Sequence, residues 1–168
     1  GKTTLLRILL GKLKPAAGRI ETGNRVKIAY YDQQQSDLSD EKTVFEEISD
    51  AYPQMTNTQI RSALGAFLFR GDDVFKTVAS LSGGEKARVS LLKLILSPSN
   101  LLVLDEPTNH LDIESKEVLE KAIEEYDGTL LMVSHDRYFI NKLATRIFEL
   151  TSNGLASFEG GYSYYLEK

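Results

Sequence analysis

Three short stretches of this 168-residue sequence contain residues that could bind and hydrolyse a nucleotide phosphate. The first is GKTT, which has the closing residues of a G-x-x-x-x-G-K-[ST] phosphate-binding loop and precedes an apolar run of helical period. In such a loop, backbone N–H groups and the helix dipole hold phosphate oxygens, Lys2 adds a positive charge and Thr3 ligates Mg²⁺. A well-capped helix without a ligand explains the same residues, so this stretch alone does not establish a phosphate site.

The second stretch, LLVLDE, places two carboxylates at the end of a short apolar strand. Asp105 can hold Mg²⁺ through water, and Glu106 can polarise a water molecule that attacks a phosphate. The alternative is a buried strand whose terminal carboxylates are solvated and have no function. Because GKTT supplies a phosphate site earlier in the chain, nucleotide hydrolysis is the better supported interpretation.

The third stretch, LSGGE, has two glycines after a serine at the start of a predicted helix. Ser82 and Glu85 have capping-box spacing, while Gly83 and Gly84 would form an anion-binding nest of backbone N–H groups. The capping box does not require the glycines, since glycine in a first turn costs helix stability. One nucleotide is not easily held by two phosphate sites, so the second site is expected to serve a nucleotide bound to another copy.

Strands and helices alternate along the chain, which predicts an α/β fold with a mainly parallel sheet flanked by helices. The predicted helices are the run after GKTT closed by Pro15 and Gly18, 43–52, 57–69, the helix after LSGGE, 112–126 and a short helix after His135. The predicted strands are 26–33, two buried strands in NLLVLDEP and GTLLMVSHD, and a hairpin that turns at Asn153-Gly154. Gln33, Asp105, Glu106 and His135 follow the strand ends, where ligands bind in open α/β sheets.

Composition excludes several other classes of function. The net charge of −4 does not favour nucleic-acid binding by bulk charge, and the absence of cysteine excludes disulfides, thiol catalysis and cysteine-based zinc sites. The longest apolar runs are far shorter than the roughly 20 residues that span a bilayer.

Taken in order, GKTT, Gln33, LSGGE, LLVLDEP, Asp112 and VSH resemble an ATP-binding cassette (ABC) nucleotide-binding domain over essentially the whole chain. The resemblance implies a P-loop NTPase-type fold, with a core ATPase part at 1–35 and 98–168 and a helical subdomain at 36–97 that ends in the signature helix. It also implies head-to-tail pairing, in which each ATP lies between the phosphate loop of one domain and the signature of the other.

The resemblance further implies a role for each motif residue, with ATP and Mg²⁺ as cofactors. ATP would be bound by Gly1, Lys2, Thr3 and Thr4, and Mg²⁺ by Thr3, Gln33 and Asp105. The catalytic residues would be Glu106, His135 and Gln33. The signature for the partner's ATP would be Ser82, Gly83, Gly84 and Glu85, with Asp112 as the D-loop aspartate. His110 lacks a strand-end context and is expected to serve helix entry or packing at the dimer seam.

Three segments, DEPTNHLD, SHDRYFIN and FEGGYSYYLEK, are similar to the ABC-F subfamily of soluble tandem cassettes, which act on ribosomes in translation or in antibiotic resistance. This similarity implies a cytoplasmic protein with a second cassette in the same polypeptide and no direct membrane insertion. Contacts with the ribosome, rRNA and tRNA are expected from parts outside this chain. The lack of an inserted arm between Gln33 and Leu81 favours the second cassette, although SYYLEK could instead lead into the linker after the first.

Two other functions remain open from the sequence. One is the ATPase subunit of an ABC membrane transporter, and the other is a binding module that does not hydrolyse ATP, which the presence of both Glu106 and His135 disfavours. By the same resemblance, the start of the phosphate loop and the N-terminal strands are expected before Gly1. The chain by itself is therefore expected to bind ATP poorly and not to hydrolyse it.

Overall fold

The computed structural model describes residues 1–32 and 37–166. The helices are α1 (Lys2–Leu9), α2 (Val44–Ala51), α3 (Asn57–Ala66), α4 (Gly83–Ile95), α5 (Ile113–Glu124), α6 (Arg137–Leu143) and α7 (Tyr162–Leu166). The strands are β1 (Ile28–Asp32), β2 (Leu101–Asp105), β3 (Thr129–Val133), β4 (Arg146–Thr151) and β5 (Gly154–Glu159). The segment between α3 and α4 contains two short 3₁₀ helices, Gly71–Phe75 and Val78–Ser80.

Three strands form a parallel sheet in the order β1-β2-β3. Asp32, Asp105 and Val133 are in register across it, so the carboxyl ends of all three strands meet at one edge. The central strand β2 is buried almost throughout, as predicted. The prediction that β3 is a second buried strand is wrong. Within the described residues β3 pairs with β2 alone, and its side chains are only half-buried from Leu130 onwards.

Helix α1 ends earlier than the sequence predicts. Gly11 adopts a left-handed conformation (φ 71°), and the N–H groups of Gly11 and Lys12 donate to the carbonyls of Ile8 and Arg7. These two bonds form a Schellman motif, in which glycine after the helix end satisfies the last carbonyls. The chain therefore leaves the helix at Leu9, well before Pro15.

Capping boxes start α2, α3 and α4. The two that the sequence predicts, Thr56 with Gln59 and Ser82 with Glu85, are confirmed. A third, Thr43 with Glu46, was not predicted. Each box satisfies two backbone donors at a helix start, and this sets where the chain enters the helix.

A continuous apolar core joins α2, α3 and α4 to the sheet. It includes Val44, Ile48, Ile60 and Leu64 from α2 and α3, Val89 and Leu92 from α4, and Leu104 from β2. Glu47 is also buried there, at 2 % exposure, and its Oε1 atom forms an ion pair with Nζ of Lys93 of α4 at 2.7 Å. The packing of α4 against β1 and α5 places the Ser82–Glu85 turn near the sheet.

Strands β4 and β5 form the predicted hairpin, but its turn lies one residue earlier than expected. Thr151 pairs with Gly154, so Ser152 and Asn153 are the turn residues. Gly154 has a φ of 125°, a conformation that glycine adopts without strain. Among the described residues, no helix has the length and apolar character that crossing a bilayer requires.

Candidate functional site

The side chains best suited to catalysis meet at the carboxyl edge of the parallel sheet. Asp105 ends β2 and Glu106 follows it, while His135 follows β3, the neighbouring strand. The backbone N–H of Glu106 donates to the carbonyl of Val133 at 2.8 Å, which extends the pairing of the two strands by one residue. Parallel pairing therefore brings together side chains that are separated by almost thirty positions in the sequence.

Glu106 and His135 contact each other directly. Oε1 of Glu106 lies 3.3 Å from Nε2 of His135, and Oε2 accepts the backbone N–H of His135 at 3.2 Å. Glu106 has a φ of 50°, an uncommon conformation for a residue with a side chain, which turns the chain sharply after β2. The Glu106 side chain is 18 % exposed and the His135 side chain 77 % exposed, so a ligand could approach the pair from solvent.

Asp105 has the properties of a cation ligand. Its residue is 7 % exposed, and its Oδ1 atom is buried without a hydrogen-bond partner in the described part of the chain. An unpaired buried carboxylate oxygen is costly unless something binds it. Residues 1–32 and 37–166 contain no group of three or more His, Cys, Asp or Glu side chains suited to a metal ion. The single buried carboxylate of Asp105 still fits Mg²⁺, which takes one or two carboxylates and completes its shell with water and substrate phosphates.

The N-terminus of α1 offers unfilled hydrogen-bond donors. Of helices α1 to α6 in the described residues, only α1 has no side-chain cap, and its first turn contains no acidic residue. Lys2 and Thr4 are exposed and Thr3 is half-buried, while Leu6 anchors the helix in the core. The donors and the positive end of the helix dipole are thus available to an anion.

The LSGGE turn is built differently at its two glycines. Ser82 Oγ accepts the N–H of Glu85 at 3.2 Å, and Glu85 Oε2 accepts the N–H of Ser82 at 2.8 Å. The hydrogen bond that the backbone N–H of Ser82 donates to the Glu85 carboxylate is the main reason that the pKa of Glu85 is lowered. A Cβ on Gly83 would meet no atom within 4 Å, whereas a Cβ on Gly84 would lie 3.2 Å from the carbonyl oxygen of His110.

Asp112 and His110 have local structural roles. Asp112 caps α5 by accepting the N–H of Ser115 at 2.8 Å. The pKa of Asp112 is lowered mainly by a hydrogen bond from the Ser115 side chain and also by this backbone bond. His110 has a φ of 63° and lies two residues before that cap, and its role in helix entry or seam packing stays a prediction. The structure thus places Glu106 against His135 and the LSGGE turn against His110. Gln33, which the sequence assigns to the same site, lies outside the described residues.

Two acidic residues of this region were not found by sequence reasoning. Asp32 ends β1 in register with Asp105 and forms an ion pair with Arg7 of α1 at 3.7 Å. The position of Asp32 at the end of a predicted strand could have identified it from the sequence. Asp136 follows His135, caps α6 by accepting the N–H of Phe139 and pairs with Lys116 of α5 at 2.9 Å. It holds the turn that carries His135 against α5.

A parallel sheet with a GKTT helix and a strand-end carboxylate pair defines a P-loop NTPase-type domain. Residues 1–109 match the sequence model of the family described as ABC transporter, and the chain belongs to that family. The resemblance to ABC-F cassettes is confirmed by its relatives.

The chain is 56 % identical over 168 residues to the putative ATP-binding protein YdiF of Bacillus subtilis (strain 168), covering 100 % of this chain and 26 % of that protein. It is 46 % identical over 170 residues to ABC transporter F family member 5 of Arabidopsis thaliana, covering 100 % and 25 %. It is 42 % identical over 172 residues to the energy-dependent translational throttle protein EttA of Haemophilus influenzae, covering 99 % and 31 %. The chain thus spans only about a quarter to a third of these relatives.

Among solved structures, the complex of archaeal ribosomal stalk protein aP1 with the archaeal ribosome recycling factor aABCE1 superposes with a TM-score of 0.78 at 29 % identity. The match covers 99 % of this chain and 34 % of that one. The predicted fold class, a mainly parallel sheet flanked by helices, is therefore confirmed.

Proposed function

We propose that this chain is an ATP-binding and ATP-hydrolysing cassette of an ABC-F protein that acts on the ribosome, as a translation factor or in ribosome protection against antibiotics. The observation that carries the proposal is the contact between Glu106 and His135 beside the buried, unpartnered Oδ1 of Asp105. A carboxylate, an imidazole and a cation-binding oxygen at one sheet edge suit the hydrolysis of a phosphoanhydride.

In this function the N-terminus of α1 binds the phosphates through its free backbone donors, and Lys2 adds charge to them. Thr3, Gln33 and Asp105 would hold Mg²⁺, which supplies charge neutralisation on the phosphate oxygens when bound. Glu106 orients and polarises the attacking water and accepts the proton that the water loses as it attacks the γ-phosphorus. The imidazole of His135, which contacts Glu106 and is 77 % exposed, would donate a hydrogen bond to a γ-phosphate oxygen when ATP is bound, while its backbone N–H keeps the Glu106 carboxylate in place.

Ser82, Gly83, Gly84 and Glu85 are assigned to the ATP of a second cassette, with Asp112 at the seam between the two. Two observations support this assignment. The capping box fixes the start of α4, and a Cβ on Gly83 would meet no atom within 4 Å, so the helix start is open at this residue. A site that needs a second cassette for completion implies that this chain alone does not hydrolyse ATP. We also propose the division into a core at 1–35 and 98–168 and a helical subdomain at 36–97.

The names of two similar proteins support the ribosomal role. One is named a translational throttle protein, and a structural neighbour at 29 % identity is described as a ribosome recycling factor. In this proposal ATP binding closes the two cassettes on each other, and the closed state binds the ribosome.

The test uses the full-length protein with Glu106→Gln, an isosteric change that removes the carboxylate charge. We expect ATP turnover to fall at least about 100-fold, since a positioned acid or base contributes typically that much. We also expect the variant to co-sediment with ribosomes only when ATP is present. Glu117→Gln, on the exposed side of α5, is the matched control and should behave as the unmodified protein.

Unchanged turnover in Glu106→Gln would refute the assigned role of Glu106. Loss of turnover without ribosome co-sedimentation, together with capture of an integral membrane protein, would replace the ribosomal role with that of a transporter ATPase.

A further inference from the structure

Two ion pairs join α5 to α6, at opposite ends of α6. Nζ of Lys116, near the start of α5, lies 2.9 Å from Oδ2 of Asp136, the residue that caps α6. Nζ of Lys142, in the last turn of α6, lies 2.9 Å from Oε2 of Glu120, further along α5. The two contacts have the same length and chemistry, but only the first involves a neighbour of His135.

The turn that carries His135 is held by hydrogen bonds on both sides of this residue. The backbone N–H of His135 donates to Oε2 of Glu106 at 3.2 Å. The N–H of Asp136 donates to Oγ of Ser134 at 3.0 Å, so these two residues are bonded across His135. Oδ1 of Asp136 accepts the N–H of Phe139 at 3.1 Å, which joins the turn to α6. One oxygen of the Asp136 carboxylate is thus used within its own turn and helix, and the other contacts α5.

The imidazole of His135 depends on this turn for its direction. Within the described part of the chain, its one ion-pair or hydrogen-bond contact is that of Nε2 with Oε1 of Glu106 at 3.3 Å. The bond from Cα to Cβ takes its direction from the backbone of the turn. Because the contact is already near the upper limit of hydrogen-bond distances, a shift of the turn by about 0.5 Å would break it.

Lys116 fixes the turn to a rigid part of the domain. Its backbone belongs to α5, whose Leu119 and Ile123 are buried in the core. No other Lys, Arg or His side chain of residues 1–32 and 37–166 lies within 4.0 Å of the Asp136 carboxylate. The hydrogen bond from Lys116 is also the main reason that the pKa of Asp136 is lowered, so the pair is charged at neutral pH.

We propose that Lys116 is a positioning residue for His135. Its ion pair with Asp136 holds the turn after β3 in a fixed position against α5, and this keeps the imidazole within reach of both Glu106 and the γ-phosphate. The inference rests on the proposed ATP hydrolysis, because the contact of His135 with the γ-phosphate belongs to that function. Lys142 has no such role, since it lies six residues after Asp136, about 9 Å further along α6.

The experiment measures ATP turnover of the full-length protein and of variants in the two ion pairs. Lys116→Met removes the cation but keeps a long unbranched side chain. We expect its kcat to fall about tenfold with KM changed by less than about twofold, because a displaced imidazole is poorly aligned in the transition state. Lys116→Arg can still pair with Asp136 and should restore most of the activity. Lys142→Met, the matched control, breaks the other pair and should lower the melting temperature while kcat stays unchanged.

A second background separates positioning from a general loss of structure. In His135→Ala, the further change Lys116→Met should have no effect on kcat, because Lys116 acts only through the imidazole. An equal fall of kcat in both backgrounds would overturn the proposal. So would a fall in Lys142→Met as large as that in Lys116→Met, or a Lys116→Arg variant that is no more active than Lys116→Met.

A measurement that does not need hydrolysis distinguishes this inference from the proposed function. The imidazole NMR resonance of His135 is followed in full-length protein with isotope-labelled histidine and is identified by its loss in His135→Ala. We expect it to shift in Lys116→Met and to stay in place in Lys142→Met. If His135→Ala has normal turnover but the resonance shifts in Lys116→Met alone, the catalytic role of His135 fails and its positioning by Lys116 stands. If His135→Ala loses turnover while neither kcat nor the resonance responds to Lys116→Met, the positioning alone fails.

Discussion

The carbonyl oxygen of His110 lies 3.2 Å from the position that a Cβ on Gly84 would occupy. The start of α4 and the turn after β2 thus approach each other through backbone atoms, and the left-handed conformation of His110 (φ 63°) makes this approach possible. The second glycine of the LSGGE stretch therefore allows this close packing within the chain.

This contact predicts different outcomes for the two glycines. Gly84→Ala should lower the free energy of unfolding by about 1 kcal/mol, because the new methyl group must displace the His110 carbonyl. Gly83→Ala meets open space and should be neutral or stabilising by up to about 1 kcal/mol, since alanine is the better helix former. Urea unfolding of both variants measures the difference. Equal effects would show that the His110 contact imposes no constraint.

The exposed imidazole of His135 predicts a loss of activity without a loss of stability. His135→Ala should reduce ATP turnover of the full-length protein about 100-fold, as expected for a group that acts in the transition state. The melting temperature should change little, because the side chain is 77 % exposed and the backbone N–H bond to Glu106 remains. Tyr138→Ala, at a neighbouring residue that is 71 % exposed, is the control and should retain turnover. Normal turnover in His135→Ala would remove the histidine from the mechanism.

The buried Oδ1 of Asp105 predicts a conflict between stability and function. Asp105→Asn should leave the free energy of unfolding unchanged or raise it by about 1 kcal/mol, because a buried charge with an unpaired oxygen is removed. The same change should abolish the stabilisation that Mg²⁺ and ATP give to the full-length protein, measured as the shift in melting temperature on their addition. A full shift in the variant would show that Asp105 does not contribute to the cation site.

The buried pair of Glu47 and Lys93 predicts non-additive effects. Lys93→Met leaves the Glu47 carboxylate, at 2 % exposure, without its cation, and should cost about 3 kcal/mol in urea unfolding. The double variant Glu47→Leu/Lys93→Met should recover most of this loss, because no buried charge then remains. Additive losses would mean that packing, and not the charge pair, connects α2 to α4.

Asp136 predicts a pH-dependent contribution to stability. The hydrogen bond from Lys116 is the main reason that its pKa is lowered, so the contribution is fully present above the pKa of the unfolded chain, about 3.9. It should be lost as the pH falls through the lower pKa of the folded state. Asp136→Asn keeps a capping side chain but loses the charge, and should cost about 1 kcal/mol at neutral pH. The difference between the two proteins should vanish in acid, and a difference that persists there would exclude an electrostatic origin.

The sequence by itself predicted a parallel sheet from strands that alternate with helices, and it identified the motif residues that follow the strand ends. The alternation of apolar runs and capping signals predicted β2, α4 and α5 closely, because the periods and caps that define them are local. It also predicted that Asp105, Glu106 and His135 would share one edge. Local patterns did not reveal where α3 ends. Leu68 takes the left-handed position (φ 68°) that glycine usually fills, and no residue type signalled it.

Only the tertiary structure decided which groups contact each other at the site. The contacts between Glu106 and His135 depend on the register of β2 with β3, and the constraint on Gly84 depends on the position of the His110 carbonyl. Residue types and their spacing predict the chemistry of a motif, because each motif lies within one helical turn or at one strand end. Register, burial and ion pairing are decided by packing between distant segments, which no single stretch of sequence contains.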